Sequence, residues 1–161
     1  MTRATEKSVS NEPGNDLQKV VDLLGGPRIL FGRITSLLDA HEMLLDGLPR
    51  SALNYLVHSL IVIDKADALE KAVGISLGPC QRRKSTPAKL LSQEQSARTW
   101  KFAEILAKAT DVFGSQKEAE QWLRRPAIGL DRRYPIDLLA TPVGIELIEQ
   151  HLARLAYGVY S

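Results

Sequence analysis

Few residues in this chain have types and spacings suited to chemistry. His41, His58 and His151 stand far apart, and the lone Cys80 is not at ligand spacing from any of them, so no metal site is expected. Glu146 and Glu149, and Asp111 and Glu118, are carboxylate pairs of the sort that acid–base catalysis uses. No nucleophile–base set accompanies them, and GGPR at residues 25–28 is too short to cradle a phosphate, so the pairs read as solvated helix faces. The chain reads as a non-enzyme with no cofactor.

Charge patterning points to binding instead. The net charge over 161 residues is only +2. Residues 39–75 hold six acids against Arg50, Lys65 and Lys71, a local −3, whereas residues 76–101 hold six bases against Glu94 alone, a local +5. Local positive charge is what a nucleic-acid footprint requires, and a solvated basic face has the same appearance. A third feature is the end of the chain, HLARLAYGVYS, where Leu152, Leu155, Tyr157, Val159 and Tyr160 follow one another with no charge after Arg154. Such a surface needs cover, from the protein's own core or from another molecule.

The elements that must position these residues are helical, with no strand alternation in view. The apolar share is 44% and the charged share 25%, ordinary for a globular protein, and no apolar run is long enough to span a membrane. The polar opening has no signal-peptide core, and one cysteine suits a reducing cytoplasm. Gly25, Gly26 and Pro27 should break a short helix over Leu17–Leu24. Ile34, Leu37, Leu38, Leu44 and Leu45 fit an amphipathic helix closed by Gly47 and Pro49, and Leu53, Leu56, Val57, Leu60 and Ile61 follow at helical spacing. Asp64 suits an N-cap. Ser92 with Gln95 predicts a capping box opening a long helix that Gly114 ends, and Ser115 with Glu118 repeats the device. Thr141 and Pro142 predict the start of the last helix, with Ile148, Leu152, Leu155 and Val159 along one side. Trp100 and Trp122 lie on apolar stripes and are expected in the core.

The stretch DKADALEKAVGISLGPCQRRK has the layout of a helix-turn-helix. Gly74 falls at the turn, with Leu69, Val73, Ile75 and Cys80 as the buried positions around it. Glu70 stands where a small residue usually packs, so it must reach out to solvent or pair. Ser76 would cap the second helix, and Ser76, Leu77, Gln81 and Arg82 would face a DNA groove, with Arg83 and Lys84 at the phosphates. Arg can pair with guanine and Gln with adenine. The same layout also fits a unit kept for structure or dimerisation.

From GISLGPCQRRK onward the chain closely resembles the Xre/MbcA/ParS antitoxins. The matching residues are Gly74, Arg82 to Lys84, Leu91, Ser92 and Glu94, then Phe113, Gly114, Ala119, Trp122 and Leu123. Pro135 to Leu139, Thr141, Gly144, Tyr157 and Gly158 complete the pattern, so that the resemblance covers roughly residues 50–161. Departures are Gly78-Pro79 at the start of the second helix, and Asp131-Arg132-Arg133-Tyr134 where a glycine-containing loop is common.

The resemblance implies an all-α protein, with a Cro-like helix-turn-helix module followed by a helical toxin-binding domain. The boundaries expected are 1–28 for a flexible leader, 29–90 for the DNA-binding-like module and 91–161 for the toxin-binding domain. It implies a cognate RES-domain toxin as partner, one that consumes NAD or uses it for ADP-ribosylation. It further implies obstruction of the toxin's NAD pocket, and repression of the chain's own operon through operator DNA. Assembly as a homodimer or a toxin–antitoxin hetero-oligomer is expected, with no membrane. Against the toxin we place Arg132 and Arg133 at the rim, and Leu155, Tyr157, Gly158, Val159, Tyr160 and Ser161 in the pocket, the tyrosines offering ring faces and Ser161 a terminal carboxylate. The other reading of the tail is that its tyrosines dock on their own fold. The alternative for the whole chain is a stand-alone helix-turn-helix regulator without a toxin.

Overall fold

A computed structural model describes residues 13–76 and 89–158, and among these residues every regular element is a helix. The two glycines at 25 and 26 take φ of 102° and 75°, and so end helix α1 (Pro13–Leu23) before the one-turn α2 (Pro27–Leu30). Helix α3 (Leu37–Asp46) starts at Ser36, whose hydroxyl accepts the Asp39 amide at 3.1 Å. Helix α4 (Arg50–His58) follows, and α5 (Lys65–Asp67) runs on as a wider π-helical turn over Ala68–Val73.

Helix α6 (Gln93–Phe113) is the hub. Its 21 residues span about 30 Å, and α1, α3, the π turn, α7 (Gln116–Leu123) and α9 (Pro142–Ala156) all pack on it. Ser92 accepts the Gln95 amide at 3.1 Å while the Gln95 side chain accepts the Ser92 amide at 3.2 Å, the reciprocal cap expected of SQEQ. Ser115 and Thr141 likewise accept the amides of Glu118 and Gly144. Trp100 and Trp122 are both buried. A 3₁₀ turn (Ile128–Leu130) and α8 (Pro135–Leu138) link α7 to α9.

Four expectations need correction. Residues 13–24 are not part of a flexible leader: Leu17, Val20, Val21 and Leu24 are buried against the rest of the core, and Lys19 pairs with Asp111 of α6 at 2.7 Å. Four apolar residues at helical spacing find a face of α6 to cover, which the polar residues before them concealed. The α3 stripe is also reoriented. Ala40 is the fully packed residue of that helix, while Leu37, Leu38 and Leu45 point to solvent. Ile61 lies beyond the end of α4 and is exposed. Finally, the buried side chains form one cluster that runs from Leu17 to Leu152 and crosses residue 90 without a break.

Candidate functional site

The turn of the helix-turn-helix candidate has the backbone its glycine suggested. Gly74 caps the π turn with φ 79°, and the Ile75 amide reaches back to the Leu69 carbonyl at 2.8 Å. Val73 and Ile75 are buried, Leu69 is half-buried, and Glu70 reaches solvent. Arg98 of α6 lies directly against Gly74, leaving no room for a Cβ. Its guanidinium donates to the Ala72 and Lys71 carbonyls at 3.1 and 3.0 Å, satisfying the end of the π turn. Lys101 pairs with Glu104 and Glu149 at 2.9 and 3.1 Å. Two of the six bases counted in the positive segment therefore serve the fold, a correction to reading that whole segment as a footprint. Ser76 is exposed; Leu77, Gln81, Arg82, Arg83 and Lys84, with Cys80, lie outside the described residues.

The second candidate region is built by α7, the 3₁₀ turn and α9. Trp122 stacks on His151 of α9, ring centres 5.9 Å apart and planes 8° apart, and tilts against Phe113 at 5.3 Å. Gly129 lies against Cε1 and Nδ1 of the same His151 ring, so close that a side chain at 129 would collide with it. Burial, and then the charge of Arg154, hold the His151 imidazole below its ordinary pKa. The loop beyond is closed by the Ala127 amide donating to the Arg133 carbonyl at 3.0 Å and the Arg132 amide donating to the Ala127 carbonyl at 2.9 Å. Asp131 and Arg132 take φ of 56° and 60°, left-handed geometry that costs a non-glycine residue roughly 1–2 kcal/mol. Arg132 and Arg133 are both exposed on that loop.

Helix α9 is packed through Gly144, Ile148 and Leu152, while Val143 and Leu147 face out. Leu155 is half-buried at its end, and Tyr157 and Gly158 are exposed; Val159, Tyr160 and Ser161 lie outside the described residues. At Tyr157, 76% exposed, the ring is not docked on the chain's own described surface. The paired carboxylates resolve into separate structural tasks. Glu149 joins Lys101, Glu104 and Lys108 in a four-membered ion network between α6 and α9, and Asp111 pairs with Lys19. In that network burial pushes Glu104 up, but the Lys101 hydrogen bond and charge outweigh it and hold its pKa low. Burial likewise depresses Lys101, and its two glutamates more than reverse the effect.

A further residue was not singled out by the sequence. Glu120 of α7 is fully buried and accepts the amides of Ile61, Val62 and Ile63 at 2.9 to 3.0 Å, with Gln116 donating at 2.9 Å. Arg124 adds a bond to the Val62 carbonyl at 3.1 Å. Among the described residues no cluster of three histidine, cysteine or carboxylate side chains could hold a metal, and no helix is long and apolar enough to cross a membrane.

The described residues form a small all-helical bundle whose last third presents a stacked α7–α9 unit and an exposed helix end. Residues 108–158 match the antitoxin Xre/MbcA/ParS C-terminal toxin-binding domain. The chain is 33% identical over 106 residues to an antitoxin Xre of Yersinia enterocolitica, covering 65% of this chain and 70% of that protein. It is 30% identical over 122 residues to an antitoxin Xre of Photorhabdus laumondii, covering 75% and 80%. A Pseudomonas putida antitoxin Xre is 32% identical over 68 residues, or 42% and 43%. The chain belongs to the Xre/MbcA/ParS family of antitoxins, and its partner is a toxin.

Proposed function

We propose that this antitoxin neutralises a RES-domain toxin, an NAD-consuming or ADP-ribosylating enzyme, by placing the end of its chain in the toxin's NAD site. The observation that bears most on this is the exposed Tyr157 at the end of α9, inside the region that matches a toxin-binding domain. An aromatic ring left largely exposed by the described residues is the kind of group that anchors in a partner's pocket. Leu155, Tyr157, Gly158, Val159, Tyr160 and Ser161 form the inserted segment in this reading. Arg132 and Arg133, exposed on their strained loop, steer and hold the rim. The chain itself does no chemistry and works in the cytoplasm.

Deleting residues 157–161 should release NAD consumption by the toxin in a purified mixture while the two proteins still bind. Full inhibition by the shortened chain would overturn the insertion mechanism.

The operator-binding role rests on the Gly74 turn and on Ser76, Leu77, Gln81, Arg82, Arg83 and Lys84. As a homodimer or within the toxin–antitoxin complex, the antitoxin would repress its own operon. Arg82→Ala and Arg83→Ala should each weaken operator binding and flatten its salt dependence, with a loss of ~0.9 in slope per phosphate contact removed. Unchanged binding in both would move the DNA site elsewhere.

A further inference from the structure

The region matching a toxin-binding domain exposes more apolar surface than the tail alone. Ile128 is 90% exposed, Val143 68% and Leu147 45%. These three are not scattered. Val143 and Leu147 are one turn apart on α9, and His151 is the next residue on that side. Gly129 rests on His151, which brings its neighbour Ile128 beside the same stripe. Arg154 is on that side too, two turns from Leu147, and Arg132 is tied by its amide to Ala127, the residue before Ile128. The opposite side of α9 packs on the core through Gly144, Ile148 and Leu152 and joins the ion network with α6 through Glu149.

We infer that Ile128, Val143 and Leu147 form the anchoring face for the toxin, separate from the tail that blocks it, and that the toxin meets them with an apolar surface rimmed by carboxylates. The inference rests on the toxin reading above and divides its labour: the face supplies affinity and the tail supplies inhibition. The occupant is set by two observations. All three residues fall within the 108–158 match to a toxin-binding domain. On their border three exposed arginines, Arg132, Arg133 and Arg154, outnumber the exposed acids Asp131 and Glu146, so the complementary rim is acidic on balance. The face is also rigid, because the Trp122–His151 stack and the seated Gly129 fix the 3₁₀ turn against α9, and a preorganised face loses little freedom on binding.

The test measures the Kd of the full chain for its purified cognate toxin, with the tail left intact. Ile128→Glu and Leu147→Glu should each weaken binding by about 10-fold or more, and Ile128→Ser/Val143→Ser/Leu147→Ser should do so without introducing charge. Because the three side chains face solvent, melting temperatures should stay near that of the unaltered chain. Leu38→Glu, on the exposed side of α3, should bind as the unaltered chain does. Undiminished binding by all three face variants, beside normal binding by the unaltered chain, would overturn the anchoring face alone. No binding by the unaltered chain would overturn the toxin reading and the face with it.

Discussion

Glu120 is surrounded by donors: three consecutive backbone amides from the turn after α4, and the amide of Gln116. A buried carboxylate is costly unless so satisfied, and buried amides are costly without it. Removing the carboxylate strands up to three donors at once, each worth about 1–3 kcal/mol when left unpaired. Glu120→Ala should therefore lower unfolding free energy by about 3 kcal/mol or more in a denaturant titration, and Glu120→Gln by less, since its carbonyl still accepts. A loss under about 1 kcal/mol in Glu120→Ala would show that water replaces the carboxylate. Little in SQKEAEQ marks this glutamate, because the three backbone amides it holds are 57 to 59 residues away. Gly74, by contrast, was legible, since a left-handed turn is a local demand. Its companion Arg98 was not, because that contact is made across 24 positions of chain.

Helix starts were readable for the same reason of locality. Ser92, Ser115 and Thr141 each cap with a residue three positions on, and all three caps form. Which face a helix buries depends on its neighbours, so the outward leucines of α3 and the packed α1 were missed. The α7–α9 unit makes a prediction at this scale. Burial, with Arg154 adding to it, lowers the His151 pKa, so the fold favours the neutral ring. The unfolded chain takes up that proton near its ordinary value of 6.5, while the folded chain resists until lower pH. The stability due to neutral His151 is therefore present above pH 6.5 and lost as pH falls through the folded pKa. Melting temperature should drop as pH falls below 6.5, and His151→Gln should flatten that part of the profile even if it lowers stability throughout. An unchanged slope in His151→Gln would assign the pH response to another group.

At the scale of the whole molecule, the family pattern told what the protein is, and its division into two modules at residue 90 was the natural expectation. The contacts that cross residue 90 argue for one cooperative unit. Leu17, Val20, Val21 and Leu24 of α1 are buried in the cluster that holds the core of α6. The buried Ser96 hydroxyl accepts the Leu48 amide at 2.8 Å. Arg98 closes the π turn, Glu120 holds the turn after α4, and the Leu91 amide donates to the Leu48 carbonyl at 2.8 Å. Each links residues before position 90 to residues after it. A fragment of residues 91–161 would expose the apolar faces of α6 and α7 that these elements cover, at about 1.5–3 kcal/mol for each large side chain uncovered. Four or five such residues equal the whole stability of a typical domain. The fragment should therefore show no cooperative thermal transition by circular dichroism, whereas residues 13–161 should melt in a single step. A sharp, reversible melt of 91–161 alone would restore the two-module division and make the contacts across residue 90 a docking surface between independent domains.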